Sequence, residues 1–161
     1  MVKNRFRACR IIPFMADTPS PDVIQAWLDR SPFIRFLGLR VERLDPDREE
    51  IALRMPMRPE LARGAGANQF HGGAIASLID TAGDYALIVL LDAVGVPTID
   101  FRVDFLRPAI DTELIATAKV RRAGRTIGVV DIDVHDTAGR LVAVGRGCYG
   151  TVDAKPGSPA T

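Results

Sequence analysis

The sequence predicts an α+β domain in which an antiparallel sheet curls around one long central helix. Two patterns carry that reading. Gly72 to Leu91 is apolar on almost every side, as expected of a helix surrounded by other elements. After Gly95-Val96-Pro97 the hydrophobic period switches to two and holds through four successive segments. The chain length of 161 residues suits one such domain with short extensions.

Taken in order, residues 1–19 are expected to be an N-terminal extension. Its opening MVKNRFRACRIIPF is basic, but the apolar run is a few residues long and broken by Pro13, too short for the core of a signal peptide. Met15 offers an alternative start. Ser20-Pro21-Asp22 begins a helix with a capping hydroxyl, a first-turn proline and an acid, and Val23, Ile24, Trp27 and Leu28 follow at helical spacing. A further turn is expected over Phe33–Leu37, closed by Gly38. Leu39–Leu44 and Glu50–Met57 read as two strands joined at Asp45-Pro46-Asp47. Pro59 to Phe70 is a Gly/Ala-rich loop.

The long helix carries its polar residues Ser77, Asp80, Thr81 and Asp84 in one narrow stripe. Two aspartates in about 20 residues argue for burial in protein over a membrane span. Ile99, Phe101, Val103 and Phe105 then alternate with Asp100, Arg102 and Asp104. Leu114–Val120, Val130–Val134 and Leu141–Val152 complete the strands, with turns at Arg122–Arg125 and Asp136–Gly139. The Pro/Gly/Ser-rich residues 153–161 are expected to be a disordered tail, leaving a domain over 20–152.

Composition excludes several functions. Lys+Arg 21 against Asp+Glu 20 leaves net charge +1, with no basic patch for nucleic acid or an anionic membrane. Cys9 and Cys148 form neither a disulfide framework nor a metal pair, which fits a reducing cytoplasm. The two histidines lack ligand spacing, so no metal is expected. There is no G-x-S-x-G elbow, and Cys148 with His135 is a poor nucleophile pair because both fall in strands.

The chemistry concentrates in His71-Gly72-Gly73 and Asp80. Two glycines at a helix start cost about 1 kcal/mol each against alanine. Either they let the helix pack closely on the sheet, or something approaches the backbone there. In the second case the free first-turn N–H groups suit a developing oxyanion. Asp80 in an apolar helix is either satisfied by a neighbouring hydroxyl or Arg, or is a base or nucleophile tuned by its surroundings. Trp27, Phe33 and Phe36 are read as core in preference to a pocket lining, and Asp84 as a polar contact at a dimer interface in preference to a like charge that raises the Asp80 pKa. His71 and Asp80 lie nine residues apart, roughly 13 Å and about half a turn out of phase on one helix. If both ends act together, two subunits must build the site across a two-fold axis.

These residues carry a resemblance. The HGG…D helix, Thr98-Ile99-Asp100, Phe105-Leu106-Arg107-Pro108 and Gly139-Arg140-Leu141-Val142-Ala143 resemble the hotdog-fold acyl-CoA thioesterases of the phenylacetate-pathway (PaaI) type, over about residues 20–152. The resemblance implies hydrolysis of an acyl-CoA thioester without a further cofactor. It implies Asp80 as general base or nucleophile, the Gly72 N–H on the carbonyl oxygen, His71 beside that site and Thr98 helping to place water. It further puts the hairpin residues Arg121, Arg122, Gly124 and Arg125 near the coenzyme nucleotide, where the arginines meet phosphates if they are more than a solvated hairpin face. Gly73 and Asn68, the latter as a substitute for the family amide, are the other expected substrate contacts. Dimers paired into a homotetramer would be the assembly. The chain departs from the family at Ala65, six residues before His71, where the family has Asn; Asn68 and Gln69 are the nearest amides. A thiol with a pKa near 8.5 leaves easily, so one carboxylate and one oxyanion donor suffice. A hotdog dehydratase or hydratase, and a non-catalytic acyl-CoA binding or regulatory module, are the alternatives.

Overall fold

The computed structural model describes residues 19–94, 96–152 and 155–156. Of the expected N-terminal extension only Pro19 falls within that range, and of the expected tail only Lys155–Pro156.

Helix α1 (Pro21–Leu28) starts where Ser20 Oγ accepts from the Val23 N–H, and it buries Ile24, Trp27 and Leu28. Its Gln25 carboxamide holds the chain that follows: Nε2 donates to Leu39 O at 3.1 Å, and Oε1 accepts from Val41 N at 2.8 Å. Helix α2 (Pro32–Leu37) repeats the Ser-Pro start and ends on Gly38 at φ +71°. Phe33 and Phe36 do not join the core as the sequence suggested: they are 56% and 46% exposed, and Arg58 sits 5.4 Å from the Phe36 ring centre. A helix this short shows the core only one stripe, and Leu37 occupies it.

Strands β1 (Arg40–Asp45) and β2 (Glu50–Met55) form a hairpin across a short 3-10 turn at Pro46–Arg48, which Asp45 caps. After the loop comes α3, unbroken over Gly72–Leu91. Beyond it lie β3 (Ala93–Val94), β4 (Thr98–Phe105), β5 (Leu114–Ala123), β6 (Ile127–Asp136), β7 (Leu141–Gly150) and β8 (Lys155–Pro156). The main sheet is six-stranded in the order β1-β2-β5-β6-β7-β4, every neighbour antiparallel, while β3 pairs with β8.

The sheet wraps α3 because its inward positions are small. Ala116 and Ala118 of β5 face the helix with Gly128 and Gly145. A Cβ at Gly145 would lie 2.5 Å from Ile79, and one at Gly128 2.5 Å from Leu87, so side chains there would push the helix off the sheet. Leu78, Ile79 and Leu87 are fully buried as a result. Each contributes roughly 1.5–3 kcal/mol by leaving water, and Leu78→Ala would cost about 2–5 kcal/mol. Length and apolarity alone would let α3 cross a membrane, but its apolar surface is instead covered by the sheet.

Strand β4 closes one edge of the main sheet and, among the described residues, pairs only with β7. Its alternation slips once. A bulge between Thr98 and Asp100 turns Ile99 outward, 60% exposed, where strict alternation would bury it. The same slip brings Thr98 to the helix side.

Candidate active site

Asp80 lies midway along α3 on the half-buried stripe with Ser77, Thr81 and Asp84. The bulged start of β4 delivers Thr98 to it, and Thr98 Oγ1 donates to Asp80 Oδ1 at 2.9 Å. Behind the carboxylate, Tyr149 of β7 is fully buried, and its hydroxyl donates to the Asp80 carbonyl at 3.2 Å. The ring fits because Gly83 lacks a side chain: a Cβ there would lie 2.0 Å from the Tyr149 hydroxyl. Burial above all raises the Tyr149 pKa, so it stays a neutral donor.

Asp84 follows one turn later. Its Oδ1 is shut off from water and has no hydrogen-bond partner among the described residues. Burial, helped by the nearby Asp80 charge, pushes its pKa up to about 7. The polar contact expected for Asp84 is one with a second subunit, and within this chain its Oδ1 meets no partner among the described residues.

The other end of α3 is built by His71, which caps the helix. Its Nδ1 accepts from the Gly73 N–H at 2.9 Å. The imidazole explains the second glycine, since a Cβ at Gly73 would lie 3.0 Å from Nδ1. The Gly73 N–H is therefore occupied. The Gly72 N–H has no partner among the described residues, and Gly72 itself packs on the Phe105 ring at the far end of β4. An open cleft of about 540 Å³ lies there, lined by Gln69, Phe70, Gly72, Ile75, Phe105 and Ile110, with Arg63 and Arg107 also on its wall.

Gly72 and Asp80 are thus separate within one chain: Gly72 meets Phe105 at the end of β4, and Asp80 meets Thr98 at its start. The spacing on an unbroken helix stands as the sequence implied.

The remaining candidates scatter. Asn68 is turned away, donating to Asp111 Oδ1 at 2.7 Å, whereas Gln69 lines the Gly72 cleft. Arg121 does not group with the other hairpin arginines. Strand alternation places it on the outer sheet face with Thr117 and Lys119, where it bonds Asp131 at 2.7 Å beside Arg146. Arg122 and Arg125 are exposed beside Gly124 and form no ion pair with the described residues. Cys148 and His135 both sit on outward positions of the sheet, paired with Val129 and Leu141 respectively, and do not meet. No group of three or more His, Cys, Asp or Glu side chains able to hold a metal ion occurs among the described residues. Sequence reasoning missed Arg63 and Phe105 as cleft residues; both come from segments flanking the motif, and only the fold brings them to Gly72.

Known proteins match this chain in sequence and fold. Residues 68–143 match the Thioesterase superfamily. A relative from Halobacterium salinarum, named provisionally as an esterase, is 42% identical over 137 residues covering 79% of this chain and 89% of its own length. The medium/long-chain acyl-CoA thioesterase YigI of Escherichia coli is 28% identical over 134 residues, covering 73% of this chain and 84% of YigI. Among solved structures, one protein from the thioesterase superfamily superposes with a TM-score of 0.74 at 35% identity, covering 81% of this chain and 96% of that one. The E. coli PaaI protein from the phenylacetic acid degradation operon superposes at 0.71 and 27% identity, covering 85% and 94%. The shared architecture is the hotdog fold.

Proposed function

We propose that this chain, which belongs to the thioesterase superfamily, hydrolyses acyl-coenzyme A thioesters at sites built by two of its own subunits. It is a thioester hydrolase of the PaaI type. The finer reading rests on one observation: the carboxylate held by Thr98 and the free Gly72 N–H lie at opposite ends of the same edge strand.

That edge supports the two-subunit site. Strand β4 has one open side and carries Ile99, Phe105 and, just beyond, Leu106, which are 60%, 55% and 48% exposed. An unpaired apolar edge invites a further strand. Antiparallel pairing of β4 with its two-fold copy, centred on Phe101 and Arg102, brings Thr98 of one chain beside Phe105 of the partner subunit. Asp80 then faces Gly72 of the partner subunit, and each dimer holds two sites. Pairs of dimers form the tetramer.

The chemistry follows. The thioester carbonyl oxygen takes a hydrogen bond from the Gly72 N–H, at the positive end of the α3 dipole. Thr98 occupies Asp80 Oδ1, leaving Oδ2 to remove a proton from water. As the water oxygen bonds to the carbonyl carbon, the carbonyl electron pair moves onto oxygen. The pair returns as the C–S bond breaks, and sulfur leaves with its electrons and takes the proton from Asp80. The products are a carboxylic acid and a free thiol, and no acid beyond Asp80 is needed for so good a leaving group.

Thiol release from a panel of acyl-CoAs, read with a colorimetric thiol reagent, tests this. Asp80→Asn should lower kcat by about 10³-fold or more, given that general-base loss alone accounts for 10²–10⁴. Unchanged turnover in Asp80→Asn refutes the assigned role. Binding of acyl-CoA without turnover by the unaltered protein would instead favour the non-catalytic module that Ala65 leaves open.

A further inference from the structure

An oxyanion is best held by two donors, and the first turn of α3 supplies one. The Gly73 N–H is spent on His71 Nδ1 at 2.9 Å, and the Ala74 N–H on the His71 carbonyl at 3.0 Å. Only the Gly72 N–H is left for a ligand. Asn68 is turned to Asp111: its side-chain Nδ2 donates to Asp111 Oδ1 at 2.7 Å, and its backbone carbonyl accepts from the Asp111 N–H at 2.9 Å.

Gln69 is different. Its backbone is fixed, with its carbonyl accepting from the Arg63 N–H at 2.8 Å and a bridge to Ile110. The next residue, Phe70, is buried in the core, 3% exposed. The Gln69 carboxamide itself makes no hydrogen bond with the described residues, and Gln69 lines the same cleft as Gly72. On this fixed backbone the carboxamide donors stay open to the cleft and available to a ligand there.

We propose that the Gln69 carboxamide N–H is the second donor to the thioester carbonyl oxygen, completing with Gly72 a two-donor oxyanion site. This rests on the acyl-CoA reading above. The carbonyl gains negative charge as water adds, so a donor aimed there strengthens in the transition state and acts on kcat more than on KM. In this chain the amide supplied from two residues before His71 takes a place that Ala65 cannot fill.

The experiment measures thiol release from butanoyl-, decanoyl- and phenylacetyl-CoA by the full chain and by Gln69→Ala, Gln69→Glu and Arg63→Ala, with thermal midpoints of each. Gln69→Ala should lose about 10²-fold in kcat with KM held within about twofold. The near-isosteric Gln69→Glu, which keeps the volume and sets an acceptor against the oxyanion, should lose at least as much. Thermal midpoints should stay level, and if Gln69→Ala fails to fold the Glu variant carries the test. A kcat within about threefold of the parent in either folded Gln69 variant, a loss confined to KM, or the same kcat loss in Arg63→Ala overturns the proposal. Parent activity with unchanged Gln69 variants sinks Gln69 alone. No release from any of the three substrates by the parent sinks the acyl-CoA reading and Gln69 with it.

Discussion

Asp84→Asn should make the protein more stable at pH 8 and leave it nearly unchanged at pH 4. In the unfolded chain Asp84 loses its proton near its ordinary value of 3.8; in the folded chain burial, then Asp80, holds the proton on until about 7. Between those values the unfolded state releases the proton more readily, so stability contributed by this group is present below pH 4 and lost as pH rises through 7. A shift of about 3 units at about 1.4 kcal/mol each gives roughly 4 kcal/mol at full development. The stripe is only half-buried, so the expected gain is about 2–4 kcal/mol. Asparagine has nearly the same shape and no proton to lose, and its Oδ1 meets the same surroundings. Urea unfolding of both proteins at pH 5, 6, 7 and 8 should show a stability difference that grows with pH and levels off above 7. At pH 8 the thermal midpoint should rise by roughly 5–15 °C for a chain of this length. A difference independent of pH would mean that the folded protein solvates or pairs Asp84, and a less stable variant at pH 8 would mean that a cation meets it in the assembled protein. Either result refutes the burial argument.

The same helix face supports two further expectations. Gly83→Ala would set a Cβ 2.0 Å from the Tyr149 hydroxyl, displace the donor to the Asp80 carbonyl and cost about 1–3 kcal/mol in chemical denaturation, whereas an exposed glycine such as Gly64 should accept alanine without loss. Thr98→Val keeps the shape but removes the bond to Asp80 Oδ1; a freed carboxylate should lower kcat about tenfold, with recovery in Thr98→Ser.

The fold was legible where periodicity is strong. The apolar helix with its stripe at Ser77, Asp80, Thr81 and Asp84, and the period-two strands after Pro97, specify a sheet around a helix, and that is the architecture found. Sequence alternation failed at Ile99, because one extra bulge residue reverses which side faces the helix, and that slip is what delivers Thr98 to Asp80. At Arg121 alternation holds, because it follows Thr117 and Lys119 onto the outer face, but the reading as a coenzyme contact did not foresee its pairing with Asp131 across the strand. The motif marked His71, Gly72, Gly73 and Asp80, but not why the second glycine is there. That depends on the imbalance of space and donors created when the His71 ring folds over its own helix turn. Likewise the choice between Asn68 and Gln69 turns on Asp111, more than 40 residues away, which no local pattern reveals.

The two-subunit site has a direct test in complementation. Gly72 occupies the first helical position, where proline is well tolerated, and His71 before it already has the extended φ −69°, ψ 139° that precedes a proline. Gly72→Pro therefore removes the proposed donor and leaves the helix start intact. Gly72→Pro and Asp80→Asn should each be nearly inactive alone. Co-expressed in equal amounts and assembled at random, they should recover about one quarter of parent thiol-release activity, because half the dimers are mixed and each mixed dimer holds one site with both groups intact. No recovery in mixed dimers confirmed by differential tags would contradict a site shared between subunits.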